Sequence, residues 1–225
     1  MKIIPLTEGM TNLPIRAFVE QNIYGQLTMS DADGWVLATV MAMCEGDHLE
    51  IGVLNGGSAV LCALAKTQLK QEGNIYGVDP FPGWTPNRTP KPPPPTIENA
   101  EKNVVLHGFE DRVFLYKGYH PPLPPELRNM RFASAFIDGE HTFKSALADW
   151  ENIKDKVDGI IVFHDIHNPA AGAGTVFEMA CRDPEWDEIH RESKTGVVQR
   201  VGYEPRSYED TLKELGVEDE QTSDT

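Results

Sequence analysis

The chain is poor in cysteine and in positive charge. Its three cysteines, Cys44, Cys62 and Cys181, are spread across 225 residues. Each sits in an apolar helical pattern, so they read as buried free thiols in preference to a disulfide framework or a cysteine-ligated metal knuckle. Lysine and arginine total 20 against 35 aspartates and glutamates, a formal charge of −15. That mean field repels a nucleic-acid backbone or an anionic membrane surface, so neither is an expected partner. Long apolar runs are missing as well. After Lys2 there is no apolar stretch of about 7–15 residues such as an export signal needs, and nothing approaches the roughly 18 residues of a membrane-spanning helix. A reducing, cytoplasmic location is the expectation. Also absent is the Gly-x-Gly-x-x-Gly spacing that cradles a pyrophosphate on helix N–H groups, which counts against a dehydrogenase.

What is present centres on His48-Leu49-Glu50-Ile51-Gly52-Val53-Leu54-Asn55-Gly56-Gly57-Ser58. A short apolar run stops at glycines and small residues before the helical pattern that begins at Ala59, which predicts a buried strand, a tight loop and a helix N-terminus. Glycine there lets a ligand approach backbone that a Cβ would block. An acid at the strand end, Glu50, suits a ligand with a cationic part.

Around this unit the chain divides into an arm over residues 1–29, one domain over 30–205, and an acidic tail over 206–225 expected to be partly disordered. The arm is a candidate for contacts in a homo-oligomer. Ser30-Asp31-Ala32-Asp33 reads as a capping box opening an apolar helix, with Asp33 where Glu is usual. Further strands are expected at 74–79, 112–117, 132–137 and 159–165, with helices after Thr96, from Phe143 to Lys154 and from Ala173 to Arg182. An antiparallel hairpin at 186–191 and 197–201 closes the series. Alternating strands and helices predict a three-layer, doubly wound α/β fold with a mostly parallel, seven-stranded sheet. Residues 80–95, with a run of prolines that forbids helix or inner strand, emerge directly after Asp79. They read as a substrate lid carrying Phe81 and Trp84, or alternatively as a polyproline docking segment.

The polar residues collect at the expected strand ends: Glu50, Asp79, Asp138, Glu140, His141, His164 and Asp165. Strand ends need no carboxylates for folding, so this pattern points to ligand chemistry along one sheet edge. Asp79 is placed to accept hydrogen bonds from the vicinal hydroxyls of a ribose.

Through Glu50-x-Gly52-x-x-x-Gly56, Asp79, Asp138-Gly139-Glu140-His141 and His164-Asp165, the chain resembles the class I S-adenosylmethionine-dependent methyltransferases. Within them, Phe136 to Phe143 followed by Val162-Phe163-His164-Asp165 resembles the group of antibiotic-sugar O-methyltransferases and cephalosporin-hydroxylase-type proteins. The resemblance covers roughly residues 31–203. It implies that Gly52, Asn55, Gly56, Gly57 and Ser58 hold the methionine end of the cofactor, that Glu50 lies near its ammonium group, that Asp79 binds the ribose, and that Asp138 also borders the cofactor. Tyr119 and Phe81 would flank the adenine. It also implies a divalent ion, magnesium or manganese, held by Asp138, His164 and Asp165, although imidazole at position 164 departs from the all-oxygen pattern. The implied reaction is metal-assisted O-methylation of a small hydroxylated molecule, with His141, or Glu140, as base. The alternatives are a metal-independent methyltransferase in which His141 alone is the base, and a non-catalytic cofactor-binding or scaffold protein.

Overall fold

The computed structural model describes residues 29–83, 94–168 and 172–206. The arm up to residue 28, Trp84 with most of the lid, and the tail from residue 207 therefore lie outside the described residues.

The first helix, α1 (Asp31–Met43), begins at the expected capping box: Ser30 accepts from the Asp33 N–H, and the Asp33 side chain accepts from the Ser30 N–H. β1 (His48–Ile51) is buried along its whole length and feeds α2 (Gly57–Gln68). β2 (Ile75–Asp79), α3 (Ile97–Leu106) and β3 (Val113–Lys117) follow, then β4 (Phe132–Ile137) and α4 (Phe143–Ile153). β5 (Val157–Phe163), α5 (Ala173–Ala180), β6 (Trp186–Glu192) and β7 (Thr195–Arg200) complete the domain.

The seven strands form one sheet in the order β3-β2-β1-β4-β5-β7-β6. β1 runs parallel to both β2 and β4, β2 parallel to β3, and β4 parallel to β5, whereas β7 is antiparallel to β5 and β6. Residues of α1 and α2, with Val104 of α3, pack on one face of the sheet. On the other, Trp150, Phe177 and their neighbours from α4 and α5 build the second half of the core. This is the expected three-layer, doubly wound architecture with its antiparallel close. β1 and β4 are neighbours whose following helices go to opposite faces, so their carboxyl ends flank the crevice where such sheets bind ligands. The cysteines are all free thiols, with Cys44 and Cys62 buried. Among the described residues no helix is long and apolar enough to cross a membrane.

Candidate active site

The turn after β1 is built by backbone geometry. Gly52 has φ +92°, and a Cβ on it would lie 2.1 Å from the Asp138 carbonyl oxygen. Only glycine allows the β1 and β4 tips to come this close. Leu54 follows at φ 53° and Gly56 at φ 80°, where Gly56 serves as the N-cap of α2. A left-handed non-glycine residue costs on the order of 1–3 kcal/mol, and Asp79 supplies the restraint. Its Oδ2 accepts from the Val53 and Leu54 N–H groups at 2.8 and 3.0 Å, and its Oδ1 from the Phe81 N–H at 2.5 Å. The buried Asp79 carboxylate thus locks the β1 turn to the end of β2, a role its position in the sequence does not disclose. Asn55 is buried, and its carbonyl accepts from Asn103 Nδ2 at 2.7 Å.

Glu50 is fully buried in β1. One carboxylate oxygen accepts from the Ser58 hydroxyl in the first turn of α2; the other, Oε2, is enclosed with no hydrogen-bonding partner among the described residues. Burial pushes this carboxyl well above the usual carboxylate range; the Ser58 bond works against that, and the nearby Asp138 and Asp79 add to it. An enclosed, unpaired carboxylate oxygen beside a glycine turn fits the ammonium group of an amino-acid ligand, which would satisfy it.

Phe81 is buried against Val53 and Ala100, so it belongs to the core beneath the turn. Tyr119 is 76% exposed.

The second half of the site lies on the same edge, at the tips of β4 and β5. His164 is buried, with Nδ1 3.0 Å from Asp138 Oδ1 and 3.9 Å from Asp165 Oδ1, and with Nε2 3.7 Å from Asp33 Oδ2. Burial disfavours its charged form, but Asp138, Asp165 and Asp33 outweigh burial and raise its pKa above the ordinary histidine value. His141 Nε2 lies 3.8 Å from Asp138 Oδ1 and 3.5 Å from Asp165 Oδ2. Asp165 adopts φ 55° at the strand tip, and Lys194 Nζ approaches it at 3.5 Å from the turn between β6 and β7. Glu140 points elsewhere: it is exposed, and its Oε2 accepts from Ser145 Oγ at 2.9 Å in the first turn of α4.

Asp33 and Lys194 complete this cluster, and neither was identified from the sequence as a site residue. Asp33 reads there only as a helix cap. In the fold its Oδ1 also accepts from Thr195 Oγ1 at 2.5 Å and from the Lys194 N–H at 3.3 Å, which pins the hairpin turn beside His164. Burial works to raise the Asp33 pKa, yet the bonds from Ser30 and Thr195, the His164 charge and the Lys194 N–H prevail and lower it. No local signal could have linked residues 161 or more positions apart.

Asp138, His164 and Asp165 do come together, but as an ion-paired cluster. Among the described residues no group of three His, Cys, Asp or Glu side chains could hold a metal ion. His164 Nδ1 lies 3.0 Å from Asp138 Oδ1, yet neither it nor Asp165 Oδ1 has a hydrogen-bonding partner among the described residues. The chemistry below is derived from these side chains alone, and Asp138, His164 and Asp165 are the residues that would hold a divalent ion.

The profile of a family described as "Methyltransferase domain" matches residues 49–166, the segment that carries every site residue described above except Asp33 and those of the hairpin turn. No curated protein matches at the sequence level. Among solved structures, the O-methyltransferase NovP superposes with a TM-score of 0.61 at 16% identity, covering 75% of this chain and 79% of its own. An O-methyltransferase from Bacillus cereus in complex with SAH gives 0.59 at 16% identity over 88% and 93%. CalS11, a TDP-rhamnose 3'-O-methyltransferase, gives 0.58 at 18% identity over 88% of each chain. At such identities these likenesses establish a shared fold. The family profile reaches further, since it spans just over half of the sequence and covers the glycine turn and both acidic strand tips: this chain belongs to the methyltransferase-domain family.

Proposed function

We propose that the chain is an S-adenosylmethionine-dependent O-methyltransferase acting on a small hydroxylated molecule, with His141 as the general base. One observation carries this reading. The turn locked by Glu50, Gly52 and Asp79 and the Asp138–His141–Asp165 cluster share the same sheet edge, with the Gly52 position packed directly on the Asp138 backbone. The solved O-methyltransferases of the same fold, including one with SAH bound, support it.

The orphaned Glu50 Oε2 supports an amino-acid ammonium group at the β1 turn. Asp79 retains one carboxylate acceptor site after its three backbone bonds, enough for a single ribose hydroxyl. When bound, the cofactor supplies an electrophilic methyl group on a sulfonium. The protein must align an acceptor oxygen with it and take the hydroxyl proton. His141 Nε2 faces Asp138 and Asp165, which leaves Nδ1 to receive that proton. The two carboxylates then stabilise the imidazolium at 3.8 and 3.5 Å. With the cofactor held at the β1 turn, methyl transfer to that oxygen would leave a neutral thioether, while His141 retains the hydroxyl proton.

Titration calorimetry with S-adenosylhomocysteine, with and without magnesium or manganese, is the first test. Binding independent of the ion is expected, and the absence of any binding would overturn the reading. For an acceptor found by screening hydroxylated compounds for methyl transfer, His141→Ala should lower kcat by roughly 10²–10⁴-fold, with affinity for S-adenosylhomocysteine unchanged. Turnover lost on chelation and restored by magnesium or manganese would instead establish the metal-assisted form, with Asp138, His164 and Asp165 as the ligands to test.

A further inference from the structure

The sheet ends in two outermost strands, β3 and β6, and they are built differently. β6, Trp-Asp-Glu-Ile-His-Arg-Glu, exposes Asp187, Glu188 and Glu192, and its pairing with β7 slips between Glu188 and His190. Charge and broken register are devices by which an outer strand refuses a further strand. β3, Val-Phe-Leu-Tyr-Lys, has neither: its one charge is the terminal Lys117, and it pairs with β2 in unbroken register from Val113 to Lys117. In a chain of net charge −15, this strand carries no acid.

The register also sets which backbone groups of β3 point outward. The Ile75 N–H bonds the Arg112 carbonyl and the Gly118 N–H the Asp79 carbonyl, both at 2.9 Å, so the even-numbered residues from 112 to 118 turn their backbone groups to β2. The odd-numbered ones face away. The Val113 N–H is taken by the Phe109 carbonyl at 2.9 Å, which leaves the Val113 carbonyl and both groups of Leu115 and Lys117 with no strand beside them among the described residues.

Exposed apolar side chains border this row. Phe114 projects from the strand, stacked on Tyr76 with ring centroids 5.5 Å apart; Val105 and Leu106 stand exposed in the last turn of α3 before it, and Tyr119 just beyond it. Unpaired backbone with apolar surface around it marks a strand built to take another.

We propose that this other strand is β3 of a second copy of the chain, paired antiparallel about a two-fold axis at Leu115. That register is self-complementary. Leu115 exchanges both of its bonds with its counterpart across the axis, and the Lys117 N–H reaches the carbonyl of Val113 of the partner subunit. Phe114 stands opposite Tyr116 of the partner subunit, on the face that already carries the Tyr76 ring, so aromatic contact continues across the seam. Charge matches too: Lys117 falls diagonally beside Asp111 of the partner subunit, an exposed acid, and no two like charges of β3 stand opposite each other. An unrelated strand has no reason to supply this match, whereas a second copy carries it by symmetry.

Sedimentation velocity on the full chain across the micromolar range tests this. A monomer–dimer equilibrium is expected, with slower deuterium exchange over residues 113–118 at high concentration than at low. Lys117→Pro removes an outward N–H and leaves the ladder to β2 intact, so it should weaken dimerisation by about tenfold or more. Lys117→Asp should weaken it as well, and adding Asp111→Lys should restore it. Thermal melts check that each variant remains folded. A chain that stays monomeric throughout overturns the proposal and leaves β3 open to a different protein. A dimer that folded Lys117→Pro and Lys117→Asp leave unchanged also overturns it, since the copies then meet elsewhere. Failure of the charge exchange to restore dimerisation overturns the register at Leu115.

Discussion

At the scale of single residues, Glu50 shows how the site trades stability for binding. A carboxyl with no solvent contact, one unpaired oxygen and two acidic neighbours is raised far above its ordinary pKa, so its ionisation opposes folding. The sign follows from linkage: for a group whose folded-state pKa is raised, the favourable contribution is present below the unfolded value near 4.5 and is lost as pH rises through the folded value. Glu50→Gln removes that penalty while retaining an acceptor for Ser58. It should raise Tm at pH 8 by about 2–4 °C for each kcal/mol recovered, measured by calorimetric melting, and abolish measurable binding of S-adenosylhomocysteine. A variant that melted lower yet still bound would show that Glu50 is a structural acid. Gly52 has no such latitude. Its positive φ and the 2.1 Å approach of a Cβ to the Asp138 oxygen mean that Gly52→Ala should cost at least about 3 kcal/mol in urea unfolding.

At the scale of elements, the start of α1 carries two loads. Ser30 and Asp33 cap the helix, and Asp33 also holds the turn between β6 and β7 through Thr195 and Lys194. The turn is further tied to the end of β5, since the Ile166 N–H bonds the Lys194 carbonyl at 3.0 Å. Loss of the cap alone, in Ser30→Ala, should cost about 1 kcal/mol. Asp33→Ala should cost clearly more, roughly 2–4 kcal/mol, because it strands the Thr195 hydroxyl and the Lys194 N–H as well. Chemical denaturation of both variants checks this, and equal costs would mean that the hairpin does not depend on α1. Deuterium exchange at Lys194 should accelerate in the second variant only.

At the scale of the whole molecule, the sheet keeps its chemistry at one edge and buries an inert histidine near the other. His48, at the start of β1, is fully buried, and its Nδ1 lies 2.8 Å from Ser134 Oγ. Burial first, and the Lys66 charge second, push its pKa down to about 3. Because the folded value lies below the unfolded one of 6.5, the unfolded chain binds the extra proton as the medium acidifies. Stability should therefore fall progressively from about pH 6.5 toward pH 3. His48→Gln, which keeps a partner for Ser134, should flatten that limb in urea titrations run across the interval; an unchanged limb would assign acid sensitivity to other groups.

Much of this was legible in the sequence, for identifiable reasons. Apolar runs such as Phe132 to Ile137 and Gly159 to Phe163 read as strands buried on both faces, and the regular alternation with helices allows few topologies. Buried strands do not call for polar residues at their ends, so Glu50, Asp79, Asp138, His164 and Asp165 were visible as a set along one edge. What the local pattern could not carry was which partner each of them takes. Asp79 spends most of its carboxylate on the β1 turn, Glu140 turns to Ser145, Phe81 joins the core, and Asp33 reaches across 162 residues to Thr195. Hydrogen bonds and ion pairs are satisfied by whatever the fold brings within about 3–4 Å, and that proximity is set by strand order and loop paths. The fold and its reactive edge follow from hydrophobic periodicity and residue type, which are properties of the chain. The pairing of His164 with three carboxylates and the poise of His141 between two of them follow from packing, and only the tertiary structure decides those.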